Sequence, residues 1–438
     1  MSRVRRVAIV AVIIVASLAG VRGVLYAHAM LVSAEPPADS VVPASPRRVR
    51  LLFSEQLEPT LASISLIGGD GRATKLHVAG DPYDVDALIA PIADLAPGAY
   101  RVAWHVVSAD GHPVGGSYLF WVGRKGGPVP RAGLAESQLV ETGWGPSLLA
   151  APMIPALARG IAVGCAMALA GLLVFMTWPG QAADVRGGGL VRALALAAPV
   201  FLALHFAAWI VNVSPAHRLT SSALAAAAGS ATGKIDLWCL GLSVLALWAL
   251  WLVRHPRIAL VFALAVVLLS GATGHSAAIQ PWLAAPARSL HLLAGAVWLG
   301  GICWLIAYSR GEGAGFAREA SRVSTLALWS VIAVAASGIG MSLLFLSSIG
   351  DLVHSGYGAV MLGKVAGLLV LVAFGAYYRA RALPRLDGDQ TTSASFKAVL
   401  QRELVVMTIV VLLGGWLAYV PPPRAPINGS SSIETPIE

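Results

Sequence analysis

Ser108-Ala109-Asp110-Gly111-His112-Pro113 places a carboxylate and an imidazole two residues apart in a stretch that reads as a turn. Gly111 separates them, so Asp110 and His112 can converge on one side of that turn. Working outward, the turn lies between two segments of strand composition, Ala99 to Val107 and Ser117 to Val122. Arg47 to Phe53 and Leu61 to Ile67 read the same way, and Gly68-Gly69-Asp70-Gly71 and Asp94-Leu95-Ala96-Pro97-Gly98 read as turns. Short strands repeated over about a hundred residues predict an all-β, immunoglobulin-like sandwich over 28–125. This region holds no cysteine, so packing rather than disulfides must hold its core.

Upstream, residues 1–27 read as a secretory signal. Arg3, Arg5 and Arg6 form the charged region, Val7 to Leu18 the apolar core, and Leu25-Tyr26-Ala27 the cleavage site. Cleavage after Ala27 makes His28 the first residue of the mature chain. The competing reading is an uncleaved anchor helix.

Downstream the composition changes. The whole chain of 438 residues is 57% hydrophobic and 12% charged, against about 25% charged in soluble domains. Mean hydropathy is +0.74. The net charge of +9 comes without a basic patch interleaved with aromatics, so nucleic acid is not an expected partner; the bilayer is. After a linker over 126–154, apolar runs appear at 157–178, 189–213, 235–253, 258–275, 289–308, 323–346, 358–378 and 403–420. About 20 residues cross a bilayer, so these predict an all-α polytopic domain of eight transmembrane helices over 155–422. The loops then assigned to the inside carry Arg186 and Arg192; Arg254 and Arg257; Arg310, Arg318 and Arg322; and Arg379, Arg381, Arg385, Lys397 and Arg402. The outside loops carry mainly Arg218, Lys234 and Arg288. This positive-inside bias puts the sandwich and a disordered tail over 423–438 outside the inner membrane.

Polar residues in hydrocarbon need a reason. With this topology His205, His275 and His291 all lie toward the outer side, which makes them candidates for receiving a metal or cofactor. Lys364 is a further buried candidate, with Asp236 as a carboxylate it can pair with, and Glu403 reads as interfacial. Met167, Met176, Met341, Met361 and Met407 are scattered over several runs and read as core filling, although thioethers also suit Cu(I). Cys165, Cys239 and Cys303 lie far apart in apolar runs and read as small buried hydrophobes. His105 and His77 read as surface or satisfied histidines.

Cu(II) favours imidazole and amine nitrogens with a carboxylate. An amino-terminal His28 offers both its α-amine and its ring, so His28, Asp110 and His112 together make a far stronger signal than Asp110 and His112 alone. At this point a resemblance is evident. His28-Ala29-Met30-Leu31 and Trp104-His105-Val106-Val107-Ser108-Ala109-Asp110-Gly111-His112-Pro113-Val114 resemble the CopC family of periplasmic copper proteins. The resemblance implies a β-sandwich that binds Cu(II) through His28, Asp110 and His112. Phe53-Ser54-Glu55 resembles the family's stretch with an extra acidic residue, which makes Glu55 a fourth candidate. Met30 is the only methionine over 28–125, so the methionine-rich Cu(I) loop of some members is not expected.

Ser289-Leu290-His291-Leu292-Leu293-Ala294-Gly295-Ala296-Val297-Trp298-Leu299-Gly300-Gly301 and Tyr357-Gly358-Ala359-Val360-Met361-Leu362-Gly363-Lys364 resemble the CopD family of copper-resistance membrane proteins. Tyr378-Arg379 stands where that family often has Asn-Arg. The resemblance implies a CopC–CopD fusion that moves copper inward across the inner membrane, with periplasmic copper chaperones as candidate partners. No nucleotide-binding loop or phosphorylation motif is present, and no enzymatic activity is expected. Two alternatives remain open: a haem-binding or other membrane redox protein, since paired histidines at one depth also hold haem, and a tethered copper store or sensor.

Overall fold

The computed structural model describes residues 29–130, 152–178, 188–307, 314–385, 390–420 and 422–423. The expected signal segment, His28, most of the linker and the tail beyond 423 lie outside the described residues. The chain divides into two compact units, and Ile210–Thr232 groups with the β-rich one.

The β-rich unit is a two-sheet sandwich. Its strands are β1 (Leu31–Glu35), β2 (Val41–Val42), β3 (Arg48–Phe53), β4 (Ser63–Gly68), β5 (Ala73–Lys75), β6 (Ala79–Asp81), β7 (Asp84–Pro91), β8 (Gly98–Val107) and β9 (Pro113–Val122). One sheet runs β1-β3-β7-β6 and the other β2-β9-β8-β4-β5. Alternation sets the core: Val49, Leu51 and Phe53 point inward from β3, Val102, Trp104 and Val106 from β8, and Phe120 and Val122 from β9. β8 and β9 pair from Gly98↔Val122 to Val107↔Pro113, so the 108–112 turn closes a long hairpin. Gly116 on β9 is required opposite Trp104, because a Cβ there would lie 2.9 Å from the indole Cε2. Arg50 fastens β3 to the far edge by bonds to Asp81 (2.7 Å) and Asp84 (3.0 Å).

The second unit is helical. Its helices are α1 (Met153–Met176), α2 (Gly189–Val213), α4 (Ala231–Trp248), α5 (Pro256–Ser270), α6 (His275–Ala278), α7 (Pro281–Ala307), α8 (Ala314–Phe345), α9 (Asp351–His354), α10 (Gly356–Tyr377) and α11 (Gln390–Leu417); α3 (Ser221–Gly229) falls in the segment grouped with the sandwich. Among the described residues, seven helices are long and apolar enough to cross a membrane. The eighth expected span is the shorter α5, whose 15 residues reach only ~22 Å. The apolar run 258–275 is cut because the chain turns after Ser270. Gly274 takes a positive φ of 67° there, and His275 starts the separate α6. α1 is the central helix, with 67% of its most apolar window buried. It approaches α7 backbone to backbone: a Cβ on Gly171 would lie 2.9 Å from the Gly300 Cα. Small residues permit such approaches between helices in lipid.

Candidate metal centre

The turn between β8 and β9 is locked by its own backbone. Gly111 adopts φ 91°, its N–H donates to Ser108 O (2.9 Å), and Ser108 N–H donates to His112 O (2.9 Å). Asp110 Oδ1 accepts from the His112 N–H (3.1 Å) and lies 2.8 Å from His112 Nδ1. The Ser108 hydroxyl also donates to Asp110 Oδ1. The turn is anchored from outside by Ala109 N–H, which donates to Gln56 O (2.8 Å). Both side chains are buried, so the pair is held in a dry, fixed geometry.

β1 and the segment after β3 bring the remaining groups to this turn. Met30 N–H donates to Ser54 Oγ (2.9 Å), and Ser54 N–H donates to Met30 O (2.9 Å). Glu55 follows directly. Its carboxyl accepts from the backbone N–H of Ala29 and from Ser108, and burial with Asp110 and Asp86 nearby drives its pKa well above the usual carboxylate range. Asp86 on β7 is raised as well, by burial and then by Asp84. Glu55, crowded by Asp110 and Asp86, thus belongs to a donor set whose charges lack a compensating cation. A cation held by Asp110, Glu55 and His112 would supply that charge, and carboxylate with imidazole is a donor set that suits Cu(II). Ala29 is 1% exposed and bonded to Glu55, which brings the residue after His28 into this cluster; His28 itself lies outside the described residues.

His105, expected to be a surface or satisfied histidine, is 4% exposed on β8, and its Nδ1 has no hydrogen-bond partner. Burial, then the nearby His217, lowers its pKa to about 4. Asp86 was not anticipated; its only signal in the sequence was the Asp84-Val85-Asp86 alternation, which any exposed strand can show.

In the helical unit a cavity of about 400 Å³ lies among α1, α7, α8, α10 and α11. His275, His291 and Lys364 line it. His275 Nε2 is engaged with Val420 O (2.9 Å), and His291 Nδ1 with Ser337 Oγ (3.0 Å). His205 does not line it. Its Nδ1 meets Pro155 O (3.1 Å) and its Nε2 faces Asp236 Oδ2 (3.4 Å). The three histidines expected to share a site therefore divide into two places. Asp236 faces His205 rather than Lys364, so the anticipated Lys364 pairing is replaced by a wall position in the cavity. Glu403, read as interfacial, is 2% exposed and accepts from Trp298 Nε1 (3.1 Å), because an indole N–H buried in apolar surroundings needs an acceptor.

Comparison with known proteins bears on both units. Residues 31–123 match the CopC domain family and residues 317–417 match copper resistance protein D. The chain is a CopC–CopD fusion. Protein YobA of Escherichia coli K12 is 40% identical over 100 residues, 22% of the fusion and 81% of that protein. Copper transport protein CutJ of Bacillus subtilis is 22% identical over 390 residues, 81% of the fusion and 68% of that protein. The crystal structure of CopC from Methylosinus trichosporium OB3b is 36% identical, covers 23% of the fusion and 98% of that chain, and has a TM-score of 0.22. The CopC match coincides with the sandwich and the CopD match with α8 to α11, so the CopC–CopD fusion is a copper-related, multi-pass membrane protein.

Proposed function

We propose that the fusion captures Cu(II) outside the inner membrane and carries copper across it toward the cytoplasm. In this reading His28, with its α-amine, Asp110 and His112 are the ligands, and Glu55 is the additional carboxylate. The observation that carries the reading is the convergence of Ala29, Glu55, Asp110 and His112 on one buried cluster, with Asp110 Oδ1 2.8 Å from His112 Nδ1. Copper is then accepted by the helical domain through His275 and His291, which line its cavity. Periplasmic copper chaperones are the candidate donors to the outer site. The positive-inside bias supports this orientation, and the 22% identity to the copper transport protein CutJ over 390 residues supports transport.

Copper uptake by cells carrying the fusion, compared with cells carrying Asp110→Ala/His112→Ala and with cells lacking the chain, tests the direction and the ligands together. Higher cytoplasmic copper in the first strain is expected; equal copper in all three overturns inward transport. Mass spectrometry of the amino terminus is expected to find His28 first. An uncleaved chain removes the amine ligand and sinks the proposed ligand set.

A further inference from the structure

Met167, Met341, Met361 and Met407 come from four helices, α1, α8, α10 and α11, and all line the same cavity. Core filling does not require that convergence. Local packing sustains it: a Cβ on Gly295 would lie 2.8 Å from the Met167 methyl, so the glycine leaves that thioether its place. The Ser342 hydroxyl lies 3.5 Å from the Met361 sulfur and fixes its position.

The charges on the wall point the same way. Arg159, Arg288 and Lys364 line the cavity, and no aspartate or glutamate does among the described residues. Arg159 and Arg288 both bond Thr273, through its hydroxyl and its carbonyl respectively. None of the three cations has a carboxylate partner within ion-pair distance among the described residues. A divalent ion here finds no anionic oxygen and suffers twice the repulsion of a monovalent one. Neutral thioether sulfurs and imidazole are the available donors, and these favour soft Cu(I). We propose that the cavity is a site for a soft monovalent ion. It takes copper as Cu(I) on donors drawn from the thioethers of Met167, Met341, Met361 and Met407 and the ring of His291, and it rejects divalent ions. This rests on reading the helical domain as a copper carrier, but binding to the cavity can be measured without transport.

The test uses the full chain in detergent with Asp110→Ala/His112→Ala, which removes two ligands of the outer site. Ag⁺ is the probe: it has the charge and softness of Cu(I) and undergoes no redox change in water. Titration is expected to show tight Ag⁺ binding that excess Zn²⁺ does not displace, with sulfur neighbours in the silver X-ray absorption spectrum. Adding Met167→Leu, Met341→Leu, Met361→Leu and Met407→Leu conserves volume. It is expected to weaken Ag⁺ binding by about 100-fold or more, since even groups that only support metal ligands are worth roughly 10–100-fold. The sulfur signal should go with it. If the fourfold variant does not fold, Met167→Leu and Met361→Leu singly should each weaken binding by about tenfold. Unchanged Ag⁺ affinity in a folded leucine variant, or displacement by Zn²⁺, overturns the assignment. Ag⁺ binding as described, in a protein that moves no copper into vesicles, leaves the cavity assignment standing and removes the transport reading instead.

Discussion

The two regions of the fusion proposed to handle copper are built from opposite materials. In the sandwich, Glu55, Asp86 and Asp110 crowd together with His112, and the charged groups acting on Glu55 are themselves acidic. In the helical domain, Arg159, Arg288 and Lys364 share a cavity with four thioethers and no carboxylate among the described residues. The first arrangement concentrates negative charge and hard oxygen; the second, positive charge and soft sulfur. Each is costly without an occupant, because like charges are brought together in low dielectric. On the proposed reading, the contrast would let one chain discriminate between two states of the same metal by charge and donor softness.

The largest effect expected from breaking this contrast is at the sandwich. Asp110→Ala/His112→Ala should lower Cu(II) affinity by roughly 1000-fold, ~4 kcal/mol, because two direct ligands go while supporting groups alone are worth roughly 10–100-fold. Electron paramagnetic resonance with a competing chelator measures it. Ag⁺ binding to the helical cavity should not change. Cu(II) bound as tightly as in the parent would dissolve the distinction between the two regions.

A second way to separate them acts through packing. Gly171→Val on α1 forces a branched side chain against Ala296 O and the Gly300 Cα, where backbone meets backbone. Neither atom belongs to a flexible side chain, so the helices must part. The cost should reach upward of ~3 kcal/mol, the top of the range for overpacking. Loss of the helical domain's thermal transition, with Cu(II) binding by the sandwich retained, is the expected result.

What was legible in the sequence differs between the regions for a physical reason. β8 and β9 and the turn joining them were readable because inward and outward residues alternate and turn residues bound them. β5 and β6 were not, since they have almost no buried face to produce alternation: Ala73, Thr74 and Lys75 are all exposed. In the helical domain the spans were readable from hydropathy, but their rotation was not. A helix that is apolar all round has no stripe to phase it. Depth placed His205 beside His275 and His291, yet depth says nothing about which way a side chain leaves its helix. The same limit hid the methionines, whose 240-residue spread between Met167 and Met407 closes only when α1 meets α11.

A third prediction concerns the sandwich alone. Burial, then His217, holds the His105 ring at about 4, below its ordinary 6.5. The unfolded chain therefore binds a proton between pH 6.5 and pH 4 that the native chain does not. Stability from this group is complete above pH 6.5 and is lost as pH falls toward 4, on the order of 3 kcal/mol in all. His105→Gln should remove that part of the acid sensitivity. Pulse proteolysis of the sandwich within the full chain, at pH 7 and pH 4.5, measures the difference; the same pH dependence in both proteins would rule His105 out as its source.

The smallest effect belongs to His205, and it is the sharpest test of facing against depth. Its Nδ1 meets Pro155 O at 3.1 Å, its Nε2 faces Asp236 Oδ2 at 3.4 Å, and it does not line the cavity. His291 instead lies on the cavity wall, where its ring meets Ser337 Oγ (3.0 Å) and the Val334 backbone. Glutamine at either position keeps a polar group able to donate and accept. His205→Gln should therefore leave copper uptake per folded molecule within about twofold of the parent, whereas His291→Gln removes an imidazole donor and should lower it by about tenfold. Equal losses at both positions would mean that the outer histidines act as one set after all. A loss at His205 alone would move the path out of the methionine-lined cavity and toward Asp236, where a carboxylate again becomes available and the contrast with the sandwich disappears.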